Sequence, residues 1–301
     1  MSAVTELTRS DRDEAWAARR DAWKRGIYRF RGSTLSLVGF AICAFLLLVV
    51  LVGPALVPFP EHIVGGIAPR ERFLPPSSVH LFGTNELGQD VFSLVVAGAR
   101  VSLLCGLVVV VIGASVGTVL GAIAGYFGRW LDEVIMRLTD LMLTIPGLIL
   151  AMAVAAALGP GTVNMIIAVS LSWWPGFARL VRGEVLAKKE EAFVLAARSL
   201  GASDARLLIK HILPNIFGPV IVKMSLDVGF AILTVAALGF IGIGIKPPIP
   251  EWGTLLAIAR GYMPEDWWTA VFPGLAIFLA VFGFNLLGDG LRDVLDPKSR
   301  R

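Results

Sequence analysis

The 301-residue sequence predicts an all-α polytopic membrane protein with six transmembrane helices and both termini in the cytoplasm. Three observations carry that prediction. Hydrophobic residues make up 56% of the chain and charged residues only 17%, against roughly 25% charged in soluble domains. No charged residue occurs from Gly32 to Pro60, Val101 to Gly128, Leu141 to Ala178, or Thr269 to Gly288. Lys and Arg gather at the two ends, which orients the chain across a bilayer.

Residues 1–32 form a basic leader with Arg9, Arg12, Arg19, Arg20, Lys24, Arg25, Arg29 and Arg31. Trp16, Trp23, Ile27 and Phe30 recur at helical spacing among these charges, which predicts a helix lying along the inner membrane surface. The leader is too long for a signal peptide, and the run after it is long enough to span. That first span occupies 33–59. The loop 60–99 holds only Arg70 and Arg72, so it falls outside the cell and the N-terminus inside.

Residues 100–291 are read as a five-helix core. Its first helix carries Gly113, Gly117, Gly121 and Gly125 at four-residue intervals on one face, a pattern that lets helix backbones approach closely. Leu141–Ala178 is too long for one helix, and Gly159-Pro160-Gly161 divides it into two spans. Trp173, Trp174 and Pro175 read as an interfacial belt and a kink. Ile216–Ile245 is a further span carrying Asp227, which is costly in a bilayer and faces either a path or a structural partner. Asn164 is a second polar candidate for the path, while Asp140 sits near the cytoplasmic end of its span. After the last span, the tail 292–301 with Arg292, Lys298, Arg300 and Arg301 returns inside.

Several chemistries are excluded. No Gly-Lys pair occurs, so the chain has no phosphate-binding P-loop. His62, His80 and His211 read as isolated, Cys43 and Cys105 as packing residues in apolar runs, and neither a GxSxG elbow nor another nucleophile constellation is read. No catalysis and no metal site are expected. The formal charge of +4 is explained by topology rather than by nucleic-acid contact.

One segment interrupts the apolar chain: "EEAFVLAARSLGASDARLLIKHILPN", Glu190 to Asn215. Phe193, Ala196, Ala197 and Leu200 share one helical face, with Glu191 and Arg198 opposite. The spacing predicts a helix from near Phe177 to Gly201, where glycine suits a left-handed cap. Ser203 is placed to cap a second helix from Asp204 towards Leu213, with Pro214 marking its kink or end. The result is a cytoplasmic helix-turn-helix over 183–214.

This segment resembles the EAA loop of bacterial ABC importer permeases, whose pattern is EAA, three residues, Gly, nine residues, then I-x-L-P. Ala196, Ala197, Gly201, Leu213 and Pro214 match, while Leu195 stands where the family has Glu and His211 where it has Ile. The resemblance runs from about Thr34 to Lys298 and narrows to the C-type subunit of the dipeptide, oligopeptide and nickel permeases. "FGTNELGQDVF" matches through Gly83, Thr84, Glu86, Leu87, Gly88, Asp90, Val91 and Phe92, with Asn85 and Gln89 replacing a usual Asp and Arg. "PPIPEWG" matches through Pro247, Pro248, Pro250, Trp252 and Gly253, and "FNLLGDGLRDVLDP" closes the chain as the family does. Val235 stands where the family often has Glu, and Asp227 is a candidate replacement.

The resemblance implies a type I ABC importer permease fold in the bacterial inner membrane. It implies a second homologous permease subunit, two cytoplasmic ATPase subunits, an extracytoplasmic substrate-binding protein and surrounding lipid as partners. No cofactor is expected on this chain, ATP and magnesium belonging to the ATPases. Glu190, Glu191, Ala196, Ala197, Arg198, Gly201, Ser203, Asp204, Leu213 and Pro214 would couple ATPase closure to alternating access. Peptides are the expected cargo, with nickel, opines, glutathione or sugar-derived solutes as alternatives. An ATP-independent secondary transporter is the competing class, and it has no use for such a loop.

The orientation is testable by labelling with an impermeant thiol reagent. A cysteine at Ser77 should react from outside the cell, and one at Ser203 only after permeabilisation; the reverse pattern overturns the topology.

Overall fold

The computed structural model describes residues 28 and 30–295. The surface helix expected around Trp16 and Trp23, and most of the C-terminal tail, lie outside the described residues. Among the described residues the longer helices are α1 (Thr34–Leu56), α2 (Val91–Phe127), α3 (Arg129–Thr144), α4 (Gly147–Leu158), α5 (Thr162–Lys188), α6 (Ala192–Ser199), α7 (Asp204–Ile241), α8 (Trp252–Ala259) and α9 (Trp268–Leu295). Among the described residues the only β pairing is an isolated bridge between Thr84 and Asp90.

Helices α1, α2, α7 and α9 are long and apolar enough to cross a membrane, and the α3–α4 pair is a fifth span if its two parts are counted together. The span expected between Leu141 and Gly159 is bent: α3 and α4 meet at 92°. Ile145 is extended (φ −90°, ψ 127°) because the residue before Pro146 is driven out of the helical region. Helix α5 is 27 residues long, about 40 Å at 1.5 Å per residue. It carries Arg179, Arg182, Glu184 and Lys188 in its second half, so it falls outside the set selected for apolarity.

The core forms where α2, α5 and α7 meet. Val109, Val110, Phe177, Val181, Val185, Ile232 and Val235 are fully buried there. The most extensive helix contact is between α2 and α5, and its cause is the glycine face. A side chain at Gly113 would come within 2.7 Å of the Trp173 Cβ, at Gly117 within 2.5 Å of the Trp174 carbonyl, and at Gly125 within 2.9 Å of the Arg182 carbonyl. At Gly121 it would run into the Ala178 carbonyl. The interfacial belt expected of Trp173 and Trp174 is therefore corrected: Trp174 is buried against this face, and Pro175 lies within the uninterrupted α5.

Two further sequence readings change. The letters GASVG at Gly113–Gly117 match a nucleophile elbow, but they lie in mid-helix, where the Ser115 hydroxyl donates to the Val111 carbonyl at 2.7 Å. An elbow needs a strand-to-helix turn. His62 and His80 are not isolated. Both reach Asp90: its N–H donates to His62 Nδ1 at 2.9 Å, and its carboxylate lies 3.0 Å from His80 Nδ1. Phe59 stacks on both rings. Asp90 also caps α2 by accepting from the Ser93 N–H at 2.8 Å, so one carboxylate pins the loop to that helix.

In the same loop the Asn85 amide donates to the Gln89 carbonyl oxygen at 2.9 Å, and Gln89 donates to the Gly66 carbonyl at 2.8 Å. The two departures from the family pattern thus face each other. At the N-cap of α8, Glu251 is fully buried and accepts from the Gly253 and Thr254 N–H groups at 2.8 Å each and from the Ser102 hydroxyl at 3.1 Å. Burial pushes its carboxyl above the usual range, and these hydrogen bonds oppose the shift.

Replacing Gly117 with Leu should lower the melting temperature and yield of the purified complex, an overpacking cost of about 1–3 kcal/mol or more. Gly261→Leu, where nothing lies within 4 Å, should leave both unchanged. Equal behaviour of the two variants would remove the close contact from the account.

Candidate functional site

Two places concentrate polar chemistry: the segment between α5 and α7, and one face of α7 inside the membrane-spanning region. The first begins where α5 stops at Lys188, earlier than the continuous helix to Gly201 expected from spacing. Lys189, Glu190 and Glu191 form a turn, and Lys188 pairs with Glu191 at 2.6 Å. Helix α6 then ends in a double closure. The Gly201 N–H donates to the Arg198 carbonyl at 2.9 Å and the Ala202 N–H to the Ala197 carbonyl at 3.1 Å. Gly201 has φ +80°, the left-handed cap of a Schellman motif.

Helix α7 starts at Asp204, with Ser203 extended before it. The expected side-chain cap is corrected, since the Ser203 hydroxyl makes no capping bond. Pro214 does not end the helix either. Leu207–Ile212 forms a π-turn that runs directly into Leu213–Ile241. A proline inside an α-helix clashes with the carbonyl four residues back and forfeits a hydrogen bond. The wider turn just ahead of Pro214 relieves that clash, so one rod continues from the loop into the core.

The segment is held firmly from below. Val194, Leu207 and Ile212 are fully buried. The Tyr126 hydroxyl donates to Asp204 at 2.5 Å, and Lys189 donates to the Gly125 carbonyl at 3.1 Å, near the C-terminus of α2. Arg182 makes a two-pronged contact with Asp132 at 2.5 and 2.7 Å, and Arg179 meets Asp140 at 2.7 Å, joining α3 to α5. The outer side is open. Glu190, Ala196, Arg198 and Ser203 are exposed, as are Phe193, Leu195 and Leu200, the last at 89%. Of the apolar face expected on α6, Ala197 turns partly inwards beside the buried Val194, while Phe193, Ala196 and Leu200 point away from the protein.

On α7, the Asp227 carboxylate lies 3.0 Å from Lys223 Nζ, one helical turn away. Trp173 of α5 lies alongside Asp227, and Lys223 rests 5.0 Å from the centre of the Phe177 ring. Sequence reasoning singled out Asp227 and overlooked Lys223; the four-residue spacing of opposite charges was the available signal. It also passed over Glu251, an acid inside a quoted motif. Asn164 is not brought to Asp227. Its amide donates to the Leu158 and Gly159 carbonyls at 2.9 and 3.2 Å, closing the α4–α5 turn. Val235 is fully buried in the core, about 12 Å along α7 from Asp227 at 1.5 Å per residue.

Residues 117–301 match the binding-protein-dependent transport system inner membrane component, more than half of the chain. The chain belongs to that family. Residues 19–76 match the N-terminal TM domain of oligopeptide transport permease C. The chain is 45% identical over 273 residues to the probable D,D-dipeptide transport system permease protein DdpC of Escherichia coli K12, covering 91% of each. It is 42% identical over 278 residues to the dipeptide transport system permease protein DppC of Alkalihalophilus pseudofirmus, covering 92% of this chain and 90% of that one. The glutathione transport system permease protein GsiD of Pectobacterium atrosepticum is 48% identical over 223 residues, 74% of each chain. The protein is thus a multi-pass inner-membrane permease subunit of a binding-protein-dependent ABC importer, and not an enzyme; nucleotide hydrolysis belongs to separate subunits.

Tyr126→Phe should release the start of α7 from α2. The loss of about 1 kcal/mol expected for one hydrogen bond predicts amide exchange about fivefold faster over residues 202–208, with the core unchanged. Unaltered exchange there would show that the hydroxyl contributes no restraint.

Proposed function

We propose that this subunit imports peptides or peptide-like solutes, and that the segment 183–214 is the surface through which ATPase closure drives it. It spans the membrane six times with both termini cytoplasmic, the bent α3–α4 pair and the charged-ended α5 supplying the third and fourth crossings. A second, homologous permease completes the path. Two ATPase subunits carry ATP and magnesium and each receive one such loop, and an extracytoplasmic binding protein delivers the solute. The peptide reading is supported by relatives named for D,D-dipeptide, dipeptide and glutathione transport.

The observation that carries the coupling role is the outward apolar side of α6. Phe193, Leu195, Ala196 and Leu200 are exposed on a helix whose opposite side is locked to the core. Exposed apolar clusters of this kind mark protein contacts. Val194, Leu207 and the Tyr126–Asp204 bond would pass a push on α6 to α7 rather than absorb it.

Two substitutions test this. Leu200→Ser touches no packed neighbour and should change stability by no more than about 0.5 kcal/mol, while reducing ATPase retention on purification. Gly201→Val places a β-branched residue at φ +80°, which is strongly disfavoured. It should leave the membrane insertion intact, lower transport, and free ATP hydrolysis from its dependence on the loaded binding protein. Normal ATPase retention in the first variant and fully coupled transport in the second would refute the docking role.

A further inference from the structure

The ion pair on α7 sits in an unusual place. Lys223 and Asp227 lie in the interior of a 38-residue apolar helix, yet their side chains are 31% and 17% exposed. Charged groups within a spanning helix do not face lipid; they face protein or water. The neighbouring surface of α5 agrees. Ser172, Gly176 and Arg179 recur at i, i+4 and i+7 on that helix, all of them at least partly exposed. At Gly176 an added Cβ would meet Lys223 Cε and Nζ and nothing else, at 3.6 and 3.7 Å. Arg179, with its exposed partner Asp140, continues the same polar seam towards the loop end of α5. Among the described residues this seam stays partly exposed, and it is too polar for lipid.

We propose that the seam lines the aqueous path and that Lys223 and Asp227 form an exchangeable ion pair for a zwitterionic solute. The inference rests on the import reading above and adds to it a residue pair and a ligand class. A free peptide carries an ammonium at one end and a carboxylate at the other. Asp227 accepts the first and Lys223 donates to the second, and when the solute leaves the two side chains close on each other again. The cost of opening the pair is offset by equivalent charge contacts, so the site holds the solute without trapping it. Gly176 leaves the lysine room to swing, and the flanking Trp173 and Phe177 rings keep the pair from wider hydration.

The test uses the complete importer, with Cys43 and Cys105 replaced by alanine and a reporter at Ser172→Cys, on the same seam and leaving Gly176 unchanged. Assembly, solute-stimulated ATP hydrolysis and transport are measured first, since failure of ATPases to co-purify with the unaltered chain would sink the import reading itself. The reporter should react with both cationic and anionic water-soluble methanethiosulfonates. Asp227→Asn should favour the anionic reagent and Lys223→Met the cationic one, each by about tenfold. Excess dialanine should slow labelling, and N-acetyl-dialanine amide, which lacks both charges, should not. An assembled, ATP-coupled importer whose reporter is unreactive would place the seam away from water and overturn the path assignment alone. A reactive reporter with no charge preference, or equal effects of the two dialanine compounds, would overturn the ion-pair exchange.

Discussion

The contact between α2 and α5 is the constraint on which the rest of the protein depends. Four glycines remove every side chain from one face of α2, and the α5 backbone sits where those side chains would have been. Van der Waals contact between backbones is short-ranged and does not rely on water, which suits a lipid environment where apolar burial supplies little drive for helix association. The position of α5 then fixes the start of the segment proposed to meet the ATPases. It also fixes the rows of side chains, Trp173, Gly176 and Phe177, that meet α7.

Charge handling follows a consistent division. Arg182 and Arg179 are paired with acids on α3, Lys189 with a helix-end carbonyl, and the Asp90 carboxylate with His80 and a helix N-terminus. Each of these satisfies a charge locally and joins two segments. Lys223 and Asp227 differ, because their ion pair lies within one helix and α5 meets it only through the Phe177 and Trp173 rings. Among the described residues no acid or base of another segment is committed to the pair, which is why it invites a role in passage.

Much of this was legible in the sequence. Charge-free runs located the long helices, the four-residue glycine period announced the close helix contact, and Gly201 marked a left-handed cap that takes the Schellman form. The misreadings share a cause: local pattern was used where a neighbouring segment decides. Pro214 signals a stop only if the preceding turn is α-helical, and a π-turn removes the reason. Trp173 and Trp174 look like a membrane belt until a glycine face is placed against them. His62 and His80 stand 18 residues apart and meet only because Asp90 sits between them. Helix α5 stops at Lys188 rather than running on to Gly201, and the short turn at Lys189–Glu191 contains no glycine or proline to signal the break.

The amide pair of Asn85 and Gln89 has a consequence for how this sequence can change. A family pattern with Asp and Arg at these positions balances one charge against the other, whereas here the same two places share a neutral hydrogen bond. Restoring either charged residue alone would leave it largely buried without its counter-charge, in a pocket where the Gly66 carbonyl is the nearest other acceptor. The two positions are therefore bound to one another physically. Exchanging the neutral form for the charged one takes both replacements, and either alone gives a less stable subunit.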